Sequence, residues 1–395
     1  MVNKGLRPKD IMLIDGVVTI RRTMLIPADE KSAQTLLELE GVSSVYPLDV
    51  ILGIDKNPFK ATYKAIAQIA KEGIRNPSYR RAADILNTYH YYEISPSQVK
   101  RIVDYVGALI YADDCRRAEE SKSYYNFNID LRKCKKDVLY LEFDGSYYLE
   151  NVLDESGCEW KECKIAIAFK KSDMQEWGNN TTEIKKRDFV GYIGPSDDFK
   201  AHLLALAVRN NAFSVREMVV ITDGAKWILP VIRELFPHAT PILDMFHAKE
   251  NAGKFAFAVK RKNQRKKFAD QLCDLIDAGD TEELLRVLEP HKDFKQPGVV
   301  NFYDYVNRLQ DCMHYDVYKQ KGYLVGSGHT ESSHRYVMQD RMKRPGQHWN
   351  RENGQGILSA KCRYESDNWD NVEELIYNDF EVFRNGNYEP ASSDK

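Results

Sequence analysis

From Val138 onward, short apolar runs of strand length alternate with longer stretches whose apolar residues recur every three or four positions. "VLYLEF" (138–143), "WKECKIAIAFKK" (160–171) and "DFVGYIG" (188–194) read as three consecutive strands, the first ending at Asp144-Gly145. "SDDFKAHLLALAVRN" follows as a helix capped by Ser196, with Phe199, Leu203, Leu206 and Ala207 as its apolar stripe. A fourth strand, "EMVVIT", ends at Asp223. The helix "AKWILPVIRELF" then carries Ile228, Val231, Ile232 and Leu235, and a fifth strand, "TPILD", ends at Asp244. Strands joined by short links and helices in this order predict an α/β fold. After Asp244 the strand signal stops, and the residues up to Tyr323 read as helices and loops. "VGSGHTESSHRYVMQDRMK" resumes as a loop running into a helix.

Upstream the pattern is less regular. Residues 1–57 mix strand-like pieces such as "GVVTIRR" (16–22) with "YPLDVILGI" and read as a small N-terminal module. Residues 58–130 read as helical. "SYRRAADILNTY" places Ala82, Ala83, Ile85 and Leu86 at helical spacing. In "SPSQVKRIVDYVG", Ser95 can cap, Pro96 suits the first turn, and Val99, Ile102, Val103 and Val106 form a stripe. With Gln98, Lys100 and Arg101 facing outward, this pair reads as a DNA-binding helix-turn-helix or as a plain helical hairpin. The remaining boundaries predict a sheet domain over 136–247 and 324–365, an all-α insertion over 248–323, and an acidic tail over 366–395.

Composition narrows the classes. Of 395 residues, 43% are apolar and 29% charged, which argues against global disorder. No apolar run approaches the roughly 18 residues of a membrane span, and no secretory signal is visible, so no membrane partner is expected. Seven scattered cysteines suit neither a disulfide framework nor a zinc site, and favour a reducing, cytoplasmic setting. The net charge of −2 hides local asymmetry. Lys254–Lys267 holds seven Lys/Arg and no acid, and Lys321–Arg363 holds eight basic residues against three acidic ones. Such patches fit either a polyanion partner or solvated helix faces.

Asp144 and Asp223 are the candidate chemistry. If the first three strands form a meander and the fourth returns beside the first, both acids reach the crevice beyond the strand ends, where ligands bind in open α/β sheets. Two adjacent carboxylates repel unless a proton or cation lies between them. Magnesium accepts such oxygen ligands, and a third acid would complete a two-metal phosphodiester site. Glu331, following a Gly-rich approach, is that candidate. Each acid alone reads as readily as a turn residue or a helix-start acid, and Asp144-Gly145 alone is a hairpin signal. His329 and His334 lack the spacing of a helical zinc pair.

The stretches "LEFDGSYY", "VVITDGAKWI", "PILDMFHAKEN" and "VGSGHTESSHRYVMQDRMKRPGQHW" together resemble DDE transposases. The nearest likeness is to bacterial insertion-sequence transposases of the Lre and Kra groups, related in layout to the Mutator and hAT superfamilies. The likeness covers roughly residues 10–365, and its most specific motif joins Gly326, Glu331, Arg341, Lys343, Gly346 and Trp349. It implies a ribonuclease-H-like five-stranded mixed sheet with an all-α insertion, beside a mainly helical N-terminal region. Asp144, Asp223 and Glu331 then match the metal-binding acids, holding two magnesium or manganese ions. Asp244 and His247 match an acid-x-x-His motif after the fifth strand.

The implied reaction is strand cleavage at an element's ends, followed by attack of the freed 3′-hydroxyl on target DNA. Double-stranded DNA would be the partner, with the protein a homodimer or higher oligomer on it, in the bacterial cytoplasm at the nucleoid. Arg335, Arg341, Lys343 and Arg344 would meet phosphates, and Trp349 and Trp227 either stack on unpaired bases or pack in the core. A ribonuclease-H-like nuclease or resolvase, or a non-catalytic DNA-binding protein derived from an element, are the competing readings.

Overall fold

A computed structural model describes the chain apart from residues 53, 56, 126–129, 131, 153–156, 178–180, 327–333 and 385–395. Two compact units emerge, Met1–Ala112 with Glu352–Lys395, and Asp113–Arg351.

In the first unit, β1 (Val2–Leu13) and β2 (Gly16–Ile26) form an antiparallel hairpin with Leu13 opposite Gly16. Helices α1 (Glu30–Glu40) and α2 (Pro47–Ile51) follow. The buried Asp49 of α2 pairs with both Lys9 and Arg22, pinning α2 to the hairpin. Next come α3 (Tyr63–Arg75), capped by Thr62, α4 (Tyr79–Tyr89), capped by Ser78, and α5 (Pro96–Ser121). The stripe Val99, Ile102, Val103 and Val106 is buried as its spacing predicts. The second helix of the pair is nevertheless 26 residues long and not a short recognition helix.

Two helices from the C-terminal end complete this unit, most of α13 (Arg351–Glu365) and α14 (Asp370–Arg384). At Gly107 a Cβ would lie 2.8 Å from the carbonyl carbon of Gly356, so the two glycines let α5 and α13 touch backbone to backbone. The expected acidic tail is therefore structured up to Arg384: Val372, Ile376 and Phe380 are buried, and Trp369 Nε1 donates to the Ala67 carbonyl at 3.3 Å. Residues 352–365, expected with the sheet, group with the N-terminal helices. The reason is tertiary: this helix carries ten consecutive buried residues, Gly354–Arg363, and its packing partners are distant in sequence.

The second unit is built on β3 (Lys135–Asn151), β4 (Cys158–Lys170), β7 (Asp188–Tyr192), β8 (Val215–Thr222) and β9 (Thr240–Leu243), with β5 (Met174–Trp177) and β6 (Thr181–Ile184) as a separate ribbon. The strand order is β7-β4-β3-β8-β9: β7, β4 and β3 are mutually antiparallel, and β3, β8 and β9 are parallel. The meander and the return of β8 beside β3 match the sequence reading, and the chain is an α/β protein with a five-stranded mixed sheet. The first strand differs, because it does not stop at Asp144-Gly145. β3 runs on to Asn151 against an equally extended β4, with Tyr147 exposed and Tyr148 buried in strand alternation.

Leu139, Leu141 and Phe143 face one side of the sheet. There they pack with Phe199 and Leu203 of α6 (Ser196–Arg209) and with Ile228 and Ile232 of α7 (Ile228–Leu235). Tyr140, Glu142, Asp144 and Ser146 alternate onto the other side, which is covered by a π-helical turn, His334–Gln339, continuing into Asp340–Met342. Cys163 Sγ lies 3.8 Å from Met338 Sδ in that contact. Between β9 and this cover lie α8 (Met245–Val259), α9 (Arg265–Ala278), α10 (Thr281–Leu288), α11 (Phe302–Leu309) and α12 (Tyr315–Gln320), the expected all-α insertion. Phe255, Leu272, Leu284, Phe302 and Val306 are buried among them, with the Phe255 and Phe302 rings 5.9 Å apart. Among the described residues no helix is long and apolar enough to cross a membrane.

Candidate active site

Glu142 opposite Ile221 is the last register pair between β3 and β8. Two residues further on, Asp144 and Asp223 occupy corresponding positions on neighbouring parallel chains, which run about 4.8 Å apart. β8 has ended at Thr222 while β3 continues, so the two carboxylates share the notch left by the shorter strand. Burial and the charge of Asp223 push the Asp144 carboxyl up to about 6, while the Gly145 amide and His247 draw it down. That amide donates to Asp144 Oδ1 at 2.6 Å.

The turn bearing Asp223 is held from both ends. Asp223 Oδ1 accepts from the Ala225 amide at 2.8 Å, and Thr222 Oγ1 accepts from the Gly224 amide at 3.0 Å. From α11, Tyr305 Oη donates to the Asp223 carbonyl and Arg308 to the Gly224 carbonyl, each at 2.8 Å. Gly224 is required here: its φ is +85°, and a Cβ would lie 2.7 Å from Leu309 Cδ1. The insertion thus fixes one of the two acids.

Asp244 is buried and caps α8, accepting from the Phe246 and His247 amides at 2.6 and 3.1 Å. Its placement is that of a helix cap rather than a surface ligand, and the cap sets His247 at the crevice. His247 is half-buried, with Nδ1 3.9 Å from Glu250 Oε2. Lys343 approaches from the cover. Its Nζ donates to Ser146 Oγ at 2.7 Å on the Asp144 side of the sheet, and burial lowers its pKa while the negative charge of Asp144 opposes that.

Other expected contact residues lie elsewhere. Arg341 and Trp349 are buried, with the guanidinium 5.0 Å from the indole centroid, and Trp349 Nε1 donates to the Met342 carbonyl. The Trp349 backbone pairs with Leu149 and Asn151, so this residue ties the cover to β3 and offers no open ring for a base. Trp227 is partly buried and packs against the core, 5.7 Å from Phe143. Arg344 is exposed, its Nε donating to the Asp340 carbonyl. Arg335 lies in the backbone of the π-helical turn. Lys100 and Arg101 belong to the other unit: Lys100 pairs with Asp104, and Arg101 lines a cleft with Gln98 and Lys60. Glu331 and His329 lie outside the described residues.

Ser146, Tyr305 and Arg308 were not singled out in the sequence. Ser146 had a signal, since two-residue alternation puts it on the face of Asp144. The other two had none, their contacts being 82 and 84 residues away in sequence.

Among the described residues no cluster of three metal-ligating side chains forms. The pair Asp144 and Asp223 nonetheless fits a hard divalent cation, because both offer carboxylate oxygens and their mutual repulsion is relieved by a cation between them. In comparisons with known proteins, no family model matches the chain and no curated protein matches it.

Proposed function

We propose that this chain is a metal-dependent DNA strand transferase of the DDE transposase type, on a ribonuclease-H-like sheet. The carrying observation is the placement of Asp144 and Asp223 at matching positions of adjacent parallel chains, where the charge of Asp223 opposes ionisation of Asp144. Asp144, Asp223 and Glu331 hold magnesium or manganese; in sequence Glu331 lies three residues before the turn that begins at His334. When bound, the metal supplies Lewis-acid stabilisation of a phosphodiester under attack. Lys343, half-buried beside Ser146, holds a backbone phosphate against the crevice. Asp244 orients His247 toward the same place through the helix cap.

Asp223→Ala and Asp144→Asn are expected to abolish magnesium-dependent cleavage of candidate element ends, by at least about a hundredfold, with DNA affinity retained. Cleavage that survives either change removes the acids from the chemistry. A second assay, joining of a pre-cut 3′-end to plasmid DNA, separates a transposase from a nuclease with the same acids.

A further inference from the structure

We infer that the tip of the α8–α9 hairpin is a clamp for the DNA backbone flanking the cleavage point. This rests on reading the carboxylate crevice as a DNA-cleaving site. Lys254–Lys267 carries seven Lys/Arg and no acid, and the structure gathers most of them at the turn between the two helices. Arg261, Lys262, Lys266 and Lys267 are all exposed, and none forms an ion pair among the described residues.

Several other cations of the insertion are neutralised. Lys249 pairs with Asp277, Lys254 with Glu250, Arg286 with Glu283 and Lys292 with Glu289. The tip is therefore a different surface, whose like charges repel until a polyanion meets them. Asp270 and Asp274 appear in the following turns of α9, which confines the positive field to the end of the hairpin. Arg265 stacks 5.7 Å from the exposed Phe257 ring, giving the tip a flat flank beside its charges.

Placement selects the occupant. α8 starts at the Asp244 cap, beside the acids, and runs away from them for 15 residues. At about 1.5 Å per residue the tip stands roughly 22 Å from the crevice. At about 3.4 Å per base pair that corresponds to roughly six or seven base pairs of duplex. A duplex with its scissile phosphate at Asp144 and Asp223 would meet the tip along its backbone, without base readout.

The test uses the full chain carrying Lys262→Ala, Lys266→Ala and Lys267→Ala together, with circular dichroism confirming the fold. Binding of a duplex of about 30 base pairs is followed by fluorescence anisotropy across a salt series. The slope of log affinity against log salt is expected to flatten by about 2–3, at roughly 0.9 per lost phosphate contact. Hydroxyl-radical footprinting is expected to lose protection about six or seven base pairs to one side of the cleavage point. An unchanged slope in the folded variant, or a flank that stays protected, overturns the clamp. So does preferential binding of the wild-type tip to phosphatidylserine vesicles over DNA. A wild type that shows the salt slope yet never cuts DNA with magnesium sinks the cleavage reading and with it the flanking role, leaving the tip only as a DNA-backbone contact.

Discussion

Asp144 carries an energetic signature that bears directly on the crevice. Its carboxyl is raised from 3.8 to about 6, so the folded state binds that proton more tightly than the unfolded chain. The metal-free protein therefore has this contribution in full below about pH 4 and loses it as pH rises through 6. A shift of this size corresponds to up to about 3 kcal/mol, less solvent screening at a half-buried site. Asp144→Asn is expected to stabilise the metal-free protein at pH 8 by roughly 1–3 kcal/mol, and to lose that advantage at pH 4. Urea unfolding in chelator at the two pH values reads this directly, and equal stabilities at pH 8 would contradict it. Magnesium is expected to stabilise the wild type at pH 8 and to have little effect on the Asn variant.

Elements decide how much of this was visible beforehand. Strands β4, β7, β8 and β9 were legible within a few residues because their apolar runs are bounded by polar turns. Of the two expected caps, Ser95 accepts from the Gln98 amide at 3.2 Å, while Ser196 is the first residue of α6 and Pro195 holds the cap position without a side-chain hydrogen bond. β3 misled because Asp-Gly is a turn signal locally, while the extended β4 partner overrides it. The burial of Arg341 was not legible either, since an Arg in a basic run reads as a DNA contact until long-range packing is known, whereas core packing was one of the two readings of Trp349. The α11 clamp has the same origin. Tyr305→Phe removes one hydrogen bond to the Asp223 carbonyl and is expected to destabilise by about 0.5–1.5 kcal/mol. Cleavage should fall by more than that loss explains, because the freed turn misplaces an acid. A rate loss no larger than the fraction unfolded would make Tyr305 purely structural.

On the scale of the whole molecule, N-terminal and C-terminal helices pack together within one unit. Trp369 is buried with its indole N–H on the α3 backbone, so Trp369→Ala is expected to cost about 3–5 kcal/mol. A chain ending after Glu365 should expose the apolar side of α3 that α14 covers. Calorimetry of the Trp369 variant checks this, and a loss below about 1 kcal/mol would mean that the C-terminal helix docks weakly.

The placement of the cover segment also sets a timetable for biosynthesis. Asp144 and Asp223 leave the ribosome well before Lys343 and the helical turn that packs over Cys163. At about 5–20 residues per second, the interval between Asp223 and Lys343 is roughly 6–24 s. A nascent or prematurely terminated polypeptide can thus contain both aspartates and still lack the lysine and the turn that packs on their side of the sheet. On the proposed reading, synthesis beyond the insertion would be what completes the site, and shorter copies would lack its phosphate-holding lysine.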